Sequence, residues 1–194
     1  MVAKLLVGIA VSLASVSCTA QVVPEVNHPR LTTSAGVGMN YWSGDWGRAD
    51  INRWGPSAWT TVTIWHDLSI LVEGHSMIVG GNQFASNFKY FAGGGGLVYT
   101  SGYWGRFQPI LKAEAGYASL SHPPNHTSHL HHTSNIWTVG GGVEYHTWGR
   151  WWTRVEYTYD YFPNFQGLTG IHTLNPRGIS FGETFRFGPN GASF

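Results

Sequence analysis

The chain has few charged residues and a single cysteine. Of its 194 residues, 11 are Lys or Arg and 10 are Asp or Glu, a charged fraction of 11%, whereas about a quarter is usual in soluble domains. The formal net charge is +1, and no run of basic residues is present to contact phosphates, so we expect no nucleic-acid partner. Because Cys18 is the only cysteine, an intrachain disulfide is excluded.

Residues 1–20 differ in composition from the rest of the chain. Lys4 precedes a mostly apolar stretch, and the small residues Cys18 and Ala20 fit a cleavage site, so we predict a cleaved secretory signal peptide over 1–20. Lipidation of Cys18 is the alternative, although Ser15 stands where such sites usually carry Leu. No later run of about 18 apolar residues occurs, which excludes a second membrane-spanning helix.

The rest of the chain has many aromatic residues and glycines, and its apolar and polar side chains alternate with period two. Val37, Met39 and Tyr41, for example, share one parity, as expected for a β-strand with one apolar face. The same alternation predicts an all-β chain of eight strands: Leu31–Ser43, Trp59–Trp65, Leu68–Met77, Asn87–Ser101, Phe107–Ser119, Ile136–His146, Trp151–Tyr161 and Arg177–Phe187.

The links between these strands alternate in length. Short links fall near 66–67, 102–106 and 147–150, and long polar links near 44–56, 78–87, 120–135 and 162–176. An even number of strands with this alternation, and with aromatic residues at both strand ends, is typical of an antiparallel up-and-down transmembrane β-barrel. Lipid offers no water to an open sheet edge, so such a sheet must close.

Two soluble folds are the alternatives to this barrel. An aromatic-rich sandwich could bury the same apolar parity, and Gly44-Asp45-Trp46 matches the loose G-x-W of a lipocalin. A lipocalin would place its apolar parity inside and its charges outside, so detergent dependence of the folded protein distinguishes the two.

An eight-stranded barrel has an interior just wide enough to be filled by side chains, which argues against a general diffusion pore. The inward parity carries charges of both signs, and buried charges are retained when they are paired. We therefore predict a salt-bridged lumen that is a structural network, with an ion gate as the alternative. The predicted lumen charge network is Glu73, Lys112, Glu114, Glu144, Arg154, Glu156, Asp160 and Arg186.

The third long link is rich in histidine, whose neutral imidazole is a ligand for Zn, Cu or Ni. Weak capture of a divalent transition metal is one hypothesis for this segment. The alternative is a polar surface patch that gains charge below about pH 6.5. The candidate metal ligands are His122, His126, His129, His131 and His132.

Catalysis is the remaining class of function. Barrel enzymes that acylate or deacylate lipid A use Ser, His and a carboxylate, and two adjacent pairs considered as candidates are His75-Ser76, with Glu73 on the parity of His75, and Ser121-His122. Neither of these two pairs has the H-x-S spacing of the barrel deacylases. We therefore expect no enzyme and no cofactor, with a lipid A-modifying barrel as the alternative.

The closing segment Asn175–Phe187, with alternate aromatics ending in Phe185-x-Phe187, resembles the last strand of small outer-membrane barrels. Val139–Tyr145 and Trp152–Tyr157 resemble the two preceding strands of the OmpA and opacity-protein-like superfamily, particularly its stand-alone acidobacterial members. The resemblance implies location in the bacterial outer membrane, contact with its lipid, and recognition of the last strand by the barrel-assembly machinery. The chain departs from the pattern of this superfamily in two ways. A tail follows Phe187, and Glu183 has the outward parity, where a bulge or protonation of its carboxylate would accommodate it.

The predicted organisation is thus a signal peptide over 1–20, an N-terminal segment over 21–30, a barrel over 31–187 and a C-terminal tail over 188–194. We expect a monomer without an attached periplasmic domain. Its expected role is structural or in surface interaction, exercised through four long extracellular loops, because function on such a fold resides in grafted sites. The sequence names no ligand.

Overall fold

The structure, a computed structural model, describes residues 32–45, 50–78, 89–122, 130–163 and 175–187. Each strand pairs antiparallel with its neighbour in the chain, and the first strand pairs with the last to close the sheet. The prediction of an all-β, eight-stranded, up-and-down barrel is confirmed. Among the described residues no helix is long and apolar enough to span a membrane. The strands are β1 (Thr33–Asp45), β2 (Asp50–Trp65), β3 (Leu68–Met77), β4 (Lys89–Thr100), β5 (Phe107–His122), β6 (Leu130–Trp148), β7 (Trp151–Tyr161) and β8 (Arg177–Phe187).

The predicted start of the second strand at Trp59 is wrong. The strand begins at Asp50, so the first link is 46–49 and not 44–56. Gly55 and Pro56 fall within the segment predicted as a link. The β2–β3 register ends at Ser57. Pro56 therefore lies where β2 has β1 as its only ladder partner, a position that a residue without an N–H can occupy.

The third link is also shorter than predicted. Because β5 runs to His122 and β6 begins at Leu130, it comprises 123–129 rather than 120–135. The other two links predicted as long comprise 78–88 and 162–176. We call the end of the barrel with these four links the loop end. The opposite end, here called the turn end, has the three short turns, in which His66, Gly105 and Gly149 have positive φ angles.

The two faces of the barrel wall differ in polarity. The outward side chains are mostly large and apolar. Val37 and Val72 are each more than half exposed, and every strand has outward apolar residues with a similar exposed fraction. Two belts of exposed aromatics flank this surface, as expected at two membrane interfaces. The belt at the turn end includes Trp65, Trp104, Phe107, Trp148 and Trp151, and the belt at the loop end includes Tyr41, Trp54, Tyr117, Trp137 and Tyr161.

The core of the protein is the lumen itself. Trp59, Leu71 and Val98 form one buried cluster, and the large ring of Trp59 fits because its neighbours have no side chain. A Cβ at Gly36 would lie 2.3 Å from that ring, and one at Gly182 would lie 2.7 Å from it. A second cluster lies toward the loop end and comprises Trp42, Met77, Tyr90, Ala92, Ala118, Ile136 and Phe162.

Candidate functional site in the barrel lumen

Lys112 lies at the centre of the lumen, where it bridges three strands. Its Nζ is 2.6 Å from Glu73 Oε2 on β3 and 2.7 Å from Glu156 Oε1 on β7. A third carboxylate, Glu114 Oε1 on β5, is 3.0 Å away. Because its partners stand on strands that are not neighbours in the sheet, the bonds cross the interior and close it.

A second cation shares this group. Arg154 donates from Nε to Glu156 Oε2 over 2.8 Å, and its guanidinium lies 5.0 Å from the ring centroid of Trp59. Trp59 in turn donates from its indole N–H to Thr184 Oγ1 over 3.1 Å. Arg154 therefore connects the charged group around Lys112 with the apolar cluster toward the turn end, to which Trp59 belongs. A cation over an aromatic face is electrostatically favourable.

Asp160 is the acceptor of a second network, nearer the loop end. The residue is fully buried, and it accepts hydrogen bonds from Tyr90 (2.7 Å) and Thr138 (2.6 Å). His75 Nε2 lies 3.3 Å from the same carboxylate, and its Nδ1 lies 3.9 Å from Glu73. The imidazole therefore joins the two networks. It also stacks on Trp42, with 4.6 Å between the ring centroids.

Between the two networks lies a small cavity. Its lining includes Glu73, His75, Glu114 and Thr138, together with glycine backbone, and its volume is about 10 Å³. A space of this size holds about one water molecule. The cavity is bounded toward the loop end by Ile136, a member of the apolar cluster there. This part of the lumen is packed rather than open.

The turn end of the lumen has a third, partly exposed group. Arg186 donates to Glu144 and, over 2.6 Å, to Gln108 Oε1. Its guanidinium lies 3.8 Å from the ring centroid of Trp152, and its side chain retains 18% exposure. This group is therefore the part of the network that solvent reaches most readily.

The eight residues of the predicted lumen network lie on the inward face. Seven of them pair with another member of the set, whereas Asp160 is joined to Glu73 only through His75. Sequence reasoning missed two further inward basic residues, Arg53 and His75, which are 1% and 6% exposed. Arg53 fell within the predicted first loop, and His75 was considered only as a catalytic candidate. Extending the alternation backward from Trp59 through Ser57 and Gly55 would have reached Arg53.

The predicted metal ligands are only partly placed. His122 ends β5, and His131 and His132 belong to the start of β6, where Ser121 pairs with His131. His126 and His129 lie outside the described residues. Within the described ranges, no group of three or more His, Cys, Asp or Glu is arranged to hold a metal ion.

The comparison with known proteins rests on structure alone. No protein-family model matches the chain, and no curated protein sequence matches it. The crystal structure of Neisserial surface protein A superposes with a TM-score of 0.67 at 16% identity, covering 80% of this chain and 97% of that one. Ail, the attachment invasion locus protein of Yersinia pestis, in complex with sucrose octasulfate, superposes with a TM-score of 0.58 at 12% identity, covering 81% of this chain and 99% of that one. OprG from Pseudomonas aeruginosa has a TM-score of 0.53 at 12% identity, covering 83% of this chain and 98% of that one.

These structural neighbours are small bacterial outer-membrane β-barrels of the OmpA and Ail-like group. At such low identity the likeness concerns the path of the chain and not the ligands of the individual proteins. With its closed eight-stranded wall, its outward apolar surface and its filled lumen, the chain has the fold of the small outer-membrane barrels.

Proposed function

We propose that this protein is a monomeric outer-membrane barrel that acts as a structural element and as a surface-interaction platform, and that it is not a general pore. The observation that carries the proposal is the packed lumen. Lys112 ties β3, β5 and β7 together across the interior, and Trp42, Tyr90 and Phe162 pack beyond it toward the loop end. A hydrated channel has no room beside these side chains.

The charge network is proposed as structural rather than as a gate. Removing one partner from a buried ion pair leaves an uncompensated charge, so a closed network favours one arrangement of the barrel. The inward carboxylates are Glu73, Glu114, Glu144, Glu156 and Asp160, and the inward cations are Arg53, Lys112, Arg154 and Arg186. With His75 neutral the sum is 4 − 5 = −1, and with His75 charged it is zero. The lumen is nearly neutral in itself.

The proposal of a closed barrel is tested by conductance. Protein refolded in detergent should migrate differently in gels before and after heating, as folded barrels do, and should give no open-channel steps after insertion into a planar bilayer. The unfolded sample provides the matched control. Steps of pore size from the folded sample would contradict the closed lumen, and a chain that is folded and monodisperse without any amphiphile would contradict the membrane barrel itself.

The interaction surface is proposed to lie at the loop end. The link 162–176 is fixed at both sides, because Phe162 and Pro176 are buried and the N–H of Asp160 donates to Pro176 O over 2.9 Å. The four links 46–49, 78–88, 123–129 and 162–176 contain Arg48 as their only Lys or Arg. Lys89 and Arg177 follow two of these links as the first residues of β4 and β8. Three cations are few for a polysulfated ligand such as the one bound to Ail, so we propose a neutral or weakly charged partner.

This surface can be tested by binding. Folded protein in nanodiscs would be used to capture partners, in parallel with a variant in which 165–173 is replaced by a Gly/Ser segment of equal length. Heparin beads serve as the polyanion probe. Retention on heparin at physiological salt would contradict the proposed partner chemistry, and equal capture by both proteins would contradict a role for this link.

Assembly is proposed to follow the route of other outer-membrane barrels, with export by the predicted signal peptide and recognition of β8 by the barrel-assembly machinery. The outward aromatics of that strand support this proposal, since Phe185 packs on Trp151 (5.1 Å between centroids) and on Phe187 (4.9 Å). Phe187→Ser should reduce the amount of folded barrel in the outer membrane. Phe181→Ser, on the same face of β8, is the control for loss of an aromatic as such.

Catalysis is not part of the proposal. His75 directs both ring nitrogens toward carboxylates inside the lumen. Ser76 follows it directly in β3, and successive side chains of a strand point to opposite faces, so the pair does not form a nucleophile and base. Incubation with lipid A followed by mass spectrometry should show no gain or loss of acyl chains.

Weak metal capture is a second proposed function. The register of β5 and β6 brings the backbone positions of His122, His131 and His132 together at the loop end, next to the link that contains His126 and His129. Calorimetry with Zn²⁺ on the folded protein should give binding heats that are absent when all five histidines are replaced by Asn. Equal heats from the two proteins would exclude this function.

A further inference from the structure

Glu183 is an exception on the outward face of the barrel. It lies on β8 and is exposed, with Val37 of β1 and Thr153 of β7 as its register partners. Among the outward side chains that the structure describes, the other Asp, Glu, Lys or Arg residues on strands are Lys89 and Arg177. Both are the first residues of their strands, at the loop end. Glu183 is thus the one described charge on the lipid-facing wall away from strand ends.

No irregularity of the sheet removes this carboxylate from the surface. The ladders of β8 with β1 and with β7 continue through Glu183 without a register shift, so the bulge considered for this position is absent. An acidic side chain on the lipid face is destabilising by an amount that falls toward the interface. A partner that compensates the charge is therefore the expected reason for its presence.

The local contacts supply a donor but no cation. Thr153 donates its hydroxyl to Glu183 Oε1 over 2.7 Å, and Thr147 lies 2.8 Å from Thr153 between hydroxyl oxygens. These two threonines make a polar line from the turn end of β6 and β7 to the carboxylate. On the other side Val37 is 67% exposed, so nothing in the described part of the chain covers Glu183 there.

The depth of Glu183 in the wall identifies the leaflet. The next outward residue toward the turn end is Phe185, which packs against Trp151 of the aromatic belt. Two residues of strand correspond to about 7 Å, so the carboxylate lies just inside that belt, within reach of the headgroups of the leaflet at the turn end. Headgroup amines are the cations nearest to this depth.

We propose that Glu183 and Thr153 form a lateral binding site for the primary ammonium group of a phospholipid, the ammonium donating to the Glu183 carboxylate while Thr153 holds that carboxylate in place. A second copy of the chain is a poorer occupant, because the described outward face has no Lys or Arg at this depth to offer. The inference rests on the proposed placement of the barrel in a membrane.

The test is lipid selectivity measured by native mass spectrometry. Folded protein would be taken from bilayers containing equal amounts of phosphatidylethanolamine and phosphatidylglycerol, and the ratio of the two lipids retained on the barrel would be compared among three proteins. The unaltered chain should retain the ethanolamine lipid about threefold more than Glu183→Gln does, the scale of one partly exposed ion pair. Asp67→Asn, in the exposed β2–β3 turn, removes the same charge elsewhere and should behave as the unaltered chain.

A second comparison separates hydrogen bonding from charge. Replacing the ethanolamine lipid by phosphatidylcholine, whose ammonium has no N–H, should abolish the difference between the unaltered chain and Glu183→Gln. Equal lipid ratios for these two proteins in the first experiment would overturn the proposal, and so would a dimer of the unaltered chain that Glu183→Gln dissociates. Heat-dependent gel mobility and conductance of the same samples test the barrel independently of this site.

Discussion

The inner and outer faces of the barrel wall follow opposite rules, and neighbouring residues of β5 illustrate them. Lys112 points inward to three carboxylates, whereas Leu111, one position earlier, points outward and is half exposed. In a water-soluble barrel the two side chains would exchange places. The comparison teaches that the wall separates two different surroundings, since charge is concentrated where it can be paired and apolar surface is left where lipid can cover it.

The two faces also differ in how tightly their side chains depend on one another. An inward charge such as Glu156 contacts Lys112 and Arg154 at once, so a change at one position alters the environment of the others. An outward side chain such as Val139 is about half exposed, and the lipid proposed to surround it adapts to a new shape. Substitutions should therefore act strongly and non-additively inside, and weakly outside unless they introduce charge.

The largest effect is expected from Lys112→Leu. This change leaves Glu73, Glu114 and Glu156 close together without their common cation, and breaking a buried charge network costs about 3–5 kcal/mol. Urea unfolding of the lipid-embedded barrel, followed by tryptophan fluorescence, measures the free energy of unfolding. Lys89→Leu, at the exposed start of β4, is the matched control and should change that free energy by less than about 0.5 kcal/mol. Similar values for the two variants would contradict the central role of the network.

Much of this arrangement could be predicted from the sequence. Period-two alternation identified all eight strands and, through parity, placed Lys112 and Asp160 on one face. The alternation is informative because each strand must satisfy two different surroundings at every second residue. Strand ends were less predictable. Gly55 and Pro56 are typical of loops, and only the register with β1 and the end of the β2–β3 ladder at Ser57 explain their place in a strand.

Partners within the lumen were not predictable from the sequence. The alternation along a strand predicts which side chains point inward. It does not predict their positions along the barrel axis or which side chains from other strands lie beside them. The contact of His75 with Asp160, 85 positions apart, depends on how β3 and β7 are staggered in the closed sheet. That stagger is set by the register of every ladder together.

A smaller but still large effect is expected from Leu111→Lys. The substitution places a cation on the outward face about midway between the two aromatic belts, where Lys or Arg destabilises a membrane barrel by about 2–4 kcal/mol. The same unfolding experiment applies, with Leu111→Ala as the control for loss of the apolar side chain. If the two variants unfolded at the same urea concentration, Leu111 would not face lipid.

An intermediate effect is expected from Asp160→Asn. The amide keeps the shape of the side chain but loses the charge that accepts from Tyr90, Thr138 and His75. The loss should be about 2 kcal/mol, since hydrogen bonds to a charged acceptor are the stronger ones. Asp67→Asn is again the exposed control. Double replacement with Tyr90→Phe should cost less than the sum of the single changes, because both remove the same bond.

The smallest effect is expected from Arg186→Gln, which tests whether the inner face is uniform. Arg186 bonds Glu144 and Gln108 and lies over Trp152, but it is the part of the network that solvent reaches. Water can replace much of what the substitution removes, so the cost should be about 1 kcal/mol and should shrink further in high salt. Lys112→Leu should show no such salt dependence, because its surroundings are closed to ions. A cost for Arg186→Gln equal to that for Lys112→Leu would mean that the lumen is sealed at the turn end as tightly as at its centre, and that the distinction between the two faces holds along the whole length of the barrel.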